Sequence, residues 1–139
     1  MKSLRLLSIL FLIAINGCEM VVENGFPDQR NFVVGDYEIE EYSELDGTMF
    51  YYDVGIYKSG YAGDHIIIYN LYDSGLDILA RVYDNGEKIR IPLQRIENLE
   101  FEGAGTLFKG NELSLTYVVR DVQSPVFYTD YLSAVGWKY

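Results

Sequence analysis

The sequence is poor in several things at once: it has one cysteine, one histidine and three prolines, and 11 basic side chains against 21 acidic ones in 139 residues. One cysteine cannot make an internal disulfide, and one His with one Cys cannot supply the usual zinc ligand sets or a His-rich metal centre. A histidine-based triad would have to use His65, which stands at the head of an apolar strand and reads as a strand-end residue. No segment shows a convincing 3.6-residue period, so no glycine-rich phosphate loop opens a helix. The shortage of positive charge excludes phosphate backbones as a natural partner, because that affinity comes from Lys and Arg. Apolar material is plentiful, at 49% hydrophobic and 15% aromatic residues. That is enough to build the core of one domain and too much for a disordered polyanion.

The N-terminus has an order of its own. Lys2 and Arg5 precede residues 6–15 (LLSILFLIAI), where Ser8 is the only polar member. A positive start followed by ten apolar residues is the layout of a secretory signal and too short for a membrane span of about 20 residues. The run ends in Ile15-Asn16-Gly17-Cys18. An aliphatic residue three before a cysteine, with a small residue just before it, resembles the lipobox of bacterial lipoproteins. The resemblance implies cleavage after residue 17 and lipidation of Cys18 by diacylglyceryl and fatty-acyl groups such as palmitate. It also implies an address in the bacterial cell envelope, on the outer membrane rather than the inner. Two or three chains hold firmly where one holds marginally, since each buried CH₂ contributes about 0.8 kcal/mol. Removal of residues 1–17 takes away Lys2 and Arg5 and no acid, leaving 9 basic and 21 acidic groups, a net of -12. Such a domain is repelled by anionic headgroups, so membrane contact is expected through the lipid alone.

Residues 18–33 read as the acylated cysteine and a flexible tether, with turn formers at Asn24-Gly25, Pro27-Asp28 and Asn31. Residues 34–139 read as the domain. Residues 36–42 alternate, with Tyr37 and Ile39 on one face and Glu38 and Glu40 on the other. Residues 50–57 alternate as well, and residues 65–72 (HIIIYNLY) have the density of a strand buried on both faces. Further alternating runs cover 76–83, 88–91 and 113–120, and residues 126–139 form one or two more strands. Asp73-Ser74-Gly75, Asp84-Asn85-Gly86 and Lys109-Gly110-Asn111 mark hairpins. Pro92 predicts an edge or a strand end, and Gly103-Ala104-Gly105 a bulge or a tight bend at a barrel corner. The expected fold is all-β: an antiparallel up-and-down meander of about eight strands closing into a barrel, with a β-sandwich as the alternative.

Gly35-Asp36-Tyr37, the Asp84-Asn85-Gly86 hairpin, residues 89–94 (IRIPLQ), residues 101–107 (FEGAGTL) and residues 113–121 (LSLTYVVRD) follow one another in an order similar to that of the small lipocalin-like, calycin-type β-domains of bacterial envelope lipoproteins. The glycine two before an aromatic is similar to the lipocalin G-x-W signature, with Tyr37 in place of Trp. The resemblance implies a fold and an envelope location, and no catalytic residues.

Two groups of residues remain as candidates for chemistry. Glu38, Glu40, Glu41, Glu44 and Asp46 fall within nine positions, and paired carboxylates can run glycoside hydrolysis. The period points Glu38 and Glu40 outward, so a solvated face is the better account. Asp73 with Asp77, or the same acidic cluster, departs from the D-x-D-x-D-G calcium pattern, and no cofactor or metal is implied. Thirteen tyrosines are the oddest feature of the composition. Their flat apolar rings with polar tips suit contact surfaces, and Tyr51, Tyr57, Tyr61 and Tyr69 are the candidate contact residues. Cross-strand aromatic pairing that only stabilises the sheet is the plainer account. The expected function is a non-enzymatic barrel displayed from the membrane, binding a small molecule, a glycan or an envelope protein. A structural or assembly subunit without a ligand pocket is the alternative, and a carboxylate-dependent hydrolase a lesser one.

Overall fold

A computed structural model describes residues 27–139 apart from 110, 125 and 127. Eight strands follow one another: β1 (Gly35–Ser43), β2 (Thr48–Lys58), β3 (His65–Tyr69), β4 (Asp77–Tyr83), β5 (Lys88–Ile96), β6 (Leu99–Phe108), β7 (Glu112–Asp121) and β8 (Tyr128–Lys138). Each pairs antiparallel with the next, and β8 returns onto β1 to close the barrel. The meander and the closure agree with the expectation from alternation and hairpin residues. The Asp84-Asn85-Gly86 hairpin has all three residues at positive φ, the conformation its Asn-Gly pair adopts at least cost.

Alternation sets the polarity of the wall. Ile39 and Tyr37 on β1, Val54 and Ile56 on β2, and their counterparts on the other strands face inward and form one continuous core. Glu38, Glu40 and Asp53 face outward in mid-strand. Apolar side chains thus face in, and on the outside acids alternate with exposed aromatic side chains such as Tyr51, Tyr57 and Trp137. Among the described residues no helix is long and apolar enough to cross a membrane.

Four details differ from the sequence-based expectation. Residues 28–33 of the expected tether are packed against the barrel: Gln29–Phe32 form a 3-10 turn, Val33 is fully buried, and Arg30 donates to the carbonyls of Ser59 and Ala62 at 3.0 Å each. The turn formers in this stretch close one end of the barrel instead of spacing it from a membrane. The expected strand at 65–72 stops at Tyr69, because Asn70, Tyr72 and Asp73 all take left-handed backbone conformations that a ladder cannot accommodate. The glycines of β6 pair without interruption with β7, so there is no bulge there. A Cβ at Gly103 would overlap Tyr117, and one at Gly105 would overlap Leu115; these glycines make room for inward side chains. The register shift lies instead on β5 between Ile91 and Gln94, around Pro92, where the missing N–H breaks the ladder without needing an edge. Residues 128–138 form a single strand.

Candidate functional site

The signal segment, Cys18 and the tether up to residue 26 lie outside the described residues. The four candidate tyrosines are all exposed, from 43% at Tyr69 to 84% at Tyr61, but they do not form one patch. Tyr57 and Tyr69 flank Gly55: the Tyr57 hydroxyl occupies the space of a Gly55 side chain, and Tyr69 is the cross-strand partner of Gly55. Tyr51 is six residues from Tyr57 along β2, roughly 20 Å away at the rise of an extended chain. Tyr61 sits in the β2–β3 loop.

Tyr51 instead belongs to a groove on the outer wall where β8, β1 and β2 lie side by side. Glu38 pairs with both Trp137 and Asp53, and Glu40 with Tyr51. The strands' alternation turns all five side chains outward. Together they line a groove of about 410 Å³. Two aromatic rings are thus set among three carboxylates. None of Glu38, Glu40 and Asp53 has an ion-pair partner among the described residues. Trp137 was not among the residues expected to make contacts, although its position on the outer face of the last strand follows from the period; its place beside Glu38 needs the closure of β8 on β1. Of the five carboxylates considered for hydrolysis, Glu38, Glu40, Glu44 and Asp46 are exposed and only Glu41 is buried, so they do not converge in one pocket.

A second polar cluster lies inside the barrel, at the end opposite the 3-10 turn. The period that buries Tyr37 and Ile39 also buries Glu41 and Ser43, and Glu41 is only 1% exposed. Counting forward by two from Tyr37 would have found it; its charge had grouped it with the solvated acids. The Tyr52 hydroxyl donates to Glu41 Oε2 at 2.5 Å, and the Tyr117 hydroxyl donates to the same oxygen. Ser43 Oγ donates to Asp130 Oδ2 at 2.7 Å, and the Tyr72 hydroxyl donates to that oxygen at 3.2 Å. Burial raises the Glu41 carboxyl above its ordinary range; the bonds from Tyr117 and Tyr52 oppose this, and the charges of Asp130 and Asp73 add to it. Burial likewise lifts the phenols of Tyr52 and Tyr117, and takes Tyr72, which is also close to Asp130, to about 12.

No protein-family model matches the chain, and no curated protein matches it. Among solved structures, a redesigned β-barrel is similar in fold, with a TM-score of 0.54, 10% identity, and coverage of 81% of this chain and 96% of that one. At that identity the likeness concerns the barrel alone.

Proposed function

We propose that this chain is a lipid-anchored, non-enzymatic binding module of the bacterial envelope, and that it uses the outer wall of β8, β1 and β2 to hold a cation-bearing segment of an envelope protein. The groove carries the reading. Trp137 and Tyr51 offer ring faces that attract cations, and Glu38, Glu40 and Asp53 supply charge that no basic residue among the described residues pairs with. The interior is a poorer candidate for a ligand. Its aliphatic side chains are between 0% and 3% exposed, which leaves little room beside them for a guest. The anchor rests on Lys2, Arg5, the apolar run and Cys18. An assembly subunit without a ligand would share the filled interior, and the unneutralised groove favours the binding module over it.

Trp137 is the only tryptophan, so its fluorescence reports on the groove selectively. Oligo-lysine peptide should change its emission saturably, with an affinity that falls as salt rises, and Tyr51→Ala with Glu40→Gln should weaken that response. A muropeptide giving the saturable response in place of the peptide would transfer the wall to glycan binding; no response to either would remove the wall as a contact surface. In cells, labelled palmitate should enter the wild type and not Cys18→Ala.

A further inference from the structure

The strands run alternately up and down, so the connections of the barrel fall into two sets. The β2–β3, β4–β5 and β6–β7 connections lie at the end where the chain enters, with the 3-10 turn and Tyr139; the β1–β2, β3–β4, β5–β6 and β7–β8 connections lie at the other. The entry end is one continuous face, because the 3-10 turn crosses it. Arg30 Nη1 donates to the Ala62 carbonyl in the β2–β3 connection, and the Phe32 ring lies so close to Gly86 in the β4–β5 connection that a Cβ there would overlap it. Lys138 Nζ donates to the Phe32 carbonyl, and the Lys138 backbone N–H donates to the carbonyl of Asn111, just before β7.

Two properties mark this face. Each part of it carries an exposed aromatic side chain: Phe32 on the turn, Tyr61 between β2 and β3, Tyr83 and Phe108 at the ends of β4 and β6, and Tyr139 after β8. Phe32 and Phe108 stay 52% and 51% exposed with no polar atom to offer water. Charge divides the two ends as well. When each connection is taken with the strand residue on either side, the entry end has five bases, Arg30, Lys58, Lys88, Lys109 and Lys138, against five acids. The other end has six acids, Glu44, Asp46, Asp73, Asp77, Glu97 and Asp121, and no base. Rings that sit between hydrocarbon and water, with long basic side chains reaching phosphate beside them, suit the headgroup layer of a bilayer. The repulsion of this acidic domain by anionic lipid falls on the far end, which turns the entry end toward the membrane.

The length of chain before the barrel points the same way. The nine residues from Glu19 to Pro27 reach at most about 30 Å. A fatty-acyl group on Cys18 therefore holds the entry end within that distance of the bilayer. We propose that the entry end of the barrel is a lipid-docking face, whose aromatic rim seats in the headgroup layer of a phospholipid membrane and leaves the acidic end pointing away. The inference rests on the lipid anchor proposed for Cys18 and adds to it a second attachment made by the fold. The groove of β8, β1 and β2 then opens beside the membrane, with Glu40 and Tyr51 farther from the lipid than Trp137.

The test uses the acylated protein in nanodiscs of phosphatidylethanolamine and phosphatidylglycerol that carry a nitroxide-headgroup lipid, with amide relaxation read by NMR and the acyl group on Cys18 read by mass spectrometry. The amides of Tyr83, Phe108 and Lys109 should relax at least about fivefold faster than those of Asp46 and Glu97, since a tilted strand separates the two ends by roughly 25 Å. A tether alone also brings the entry end nearer on average, so the rim is tested by Tyr61→Ala, Phe108→Ala and Tyr139→Ala together, all at exposed positions. With the anchor kept, the enhancement at Tyr83 and Lys109 should fall about threefold or more as the apolar area of the rim is lost. An enhancement that survives the substitutions, or equal relaxation at both ends of the wild type, would overturn the docking face and leave the anchor standing. Entry-end resonances that move with the protein-to-lipid ratio without broadening would assign the face to a second copy, which also overturns it. Absence of fatty acid on Cys18 would instead remove the anchor, and the seating with it.

Discussion

At the end of the barrel closed by the 3-10 turn, Asp28 lies between Arg30 at 2.8 Å and Lys58 at 3.1 Å. Arg30 Nη1 donates to the backbone carbonyls of Ser59 and Ala62, while Lys138 spans from the Phe32 carbonyl across the Tyr37 ring. At the opposite end Glu41 has two phenols, two negative neighbours and no cation among the described residues. The hydrogen bond from Arg30 holds Asp28 well below the usual carboxylate range, and burial pushes Glu41 the other way. One chemical group, at two ends of one barrel, thus contributes opposite pH dependences. The sign comes from what surrounds the carboxyl.

The signs follow from linkage. Asp28 contributes stability that is present above its ordinary range and lost as pH falls through its depressed value. Glu41 contributes stability that is present in acid and lost as pH rises. The barrel should be weakened on both flanks, by the Asp28 clasp in acid and by the buried Glu41 as pH rises.

Three substitutions test this contrast. The largest effect should come from neither end: Phe101→Ala, at a fully buried core position, should cost about 3–5 kcal/mol in urea unfolding with no change in pH profile. A cost comparable to that of an end substitution would mean that the ends carry the fold. Arg30→Ala should cost about 1.5–3 kcal/mol at neutral pH, the range for hydrogen bonds to charged groups, and should flatten the acid flank by releasing Asp28. If acid unfolding keeps its midpoint, the clasp is not the acid-sensitive element. Tyr117→Phe should cost least, about 0.5–1.5 kcal/mol in acid, where Glu41 is protonated. Its cost should grow as pH rises, because an ionised Glu41 would have lost one of its two donors. A cost independent of pH would show that the Tyr117 bond does not distinguish the two protonation states.

Much of the fold was legible because period two and turn chemistry are local. Tyr37, Ile39 and Glu41 occupy alternate positions, so the burial of Glu41 was present in the register and obscured only by its charge. Pro92 and the β6 glycines were harder to read. Either could have accommodated the irregularity, and the packing of Tyr117 and Leu115 decided which did. The tether's last residues resembled free chain because a 3-10 turn of four residues has no periodic signature; Arg30 reaching Ser59 and Ala62 is what attaches it.

Alternation, hairpin residues and charge by themselves determined that eight strands would form, which side chains would face each way, and that the outside would be acidic. Those properties depend on neighbours one to four residues apart. Which acids would meet aromatics, and which would be enclosed without a cation, was decided only when β8 closed on β1. Closure set Trp137 beside Glu38 and Tyr117 against Glu41, pairs separated by 99 and 76 positions. Contacts across such separations depend on the geometry of the closed barrel, which no local pattern encodes.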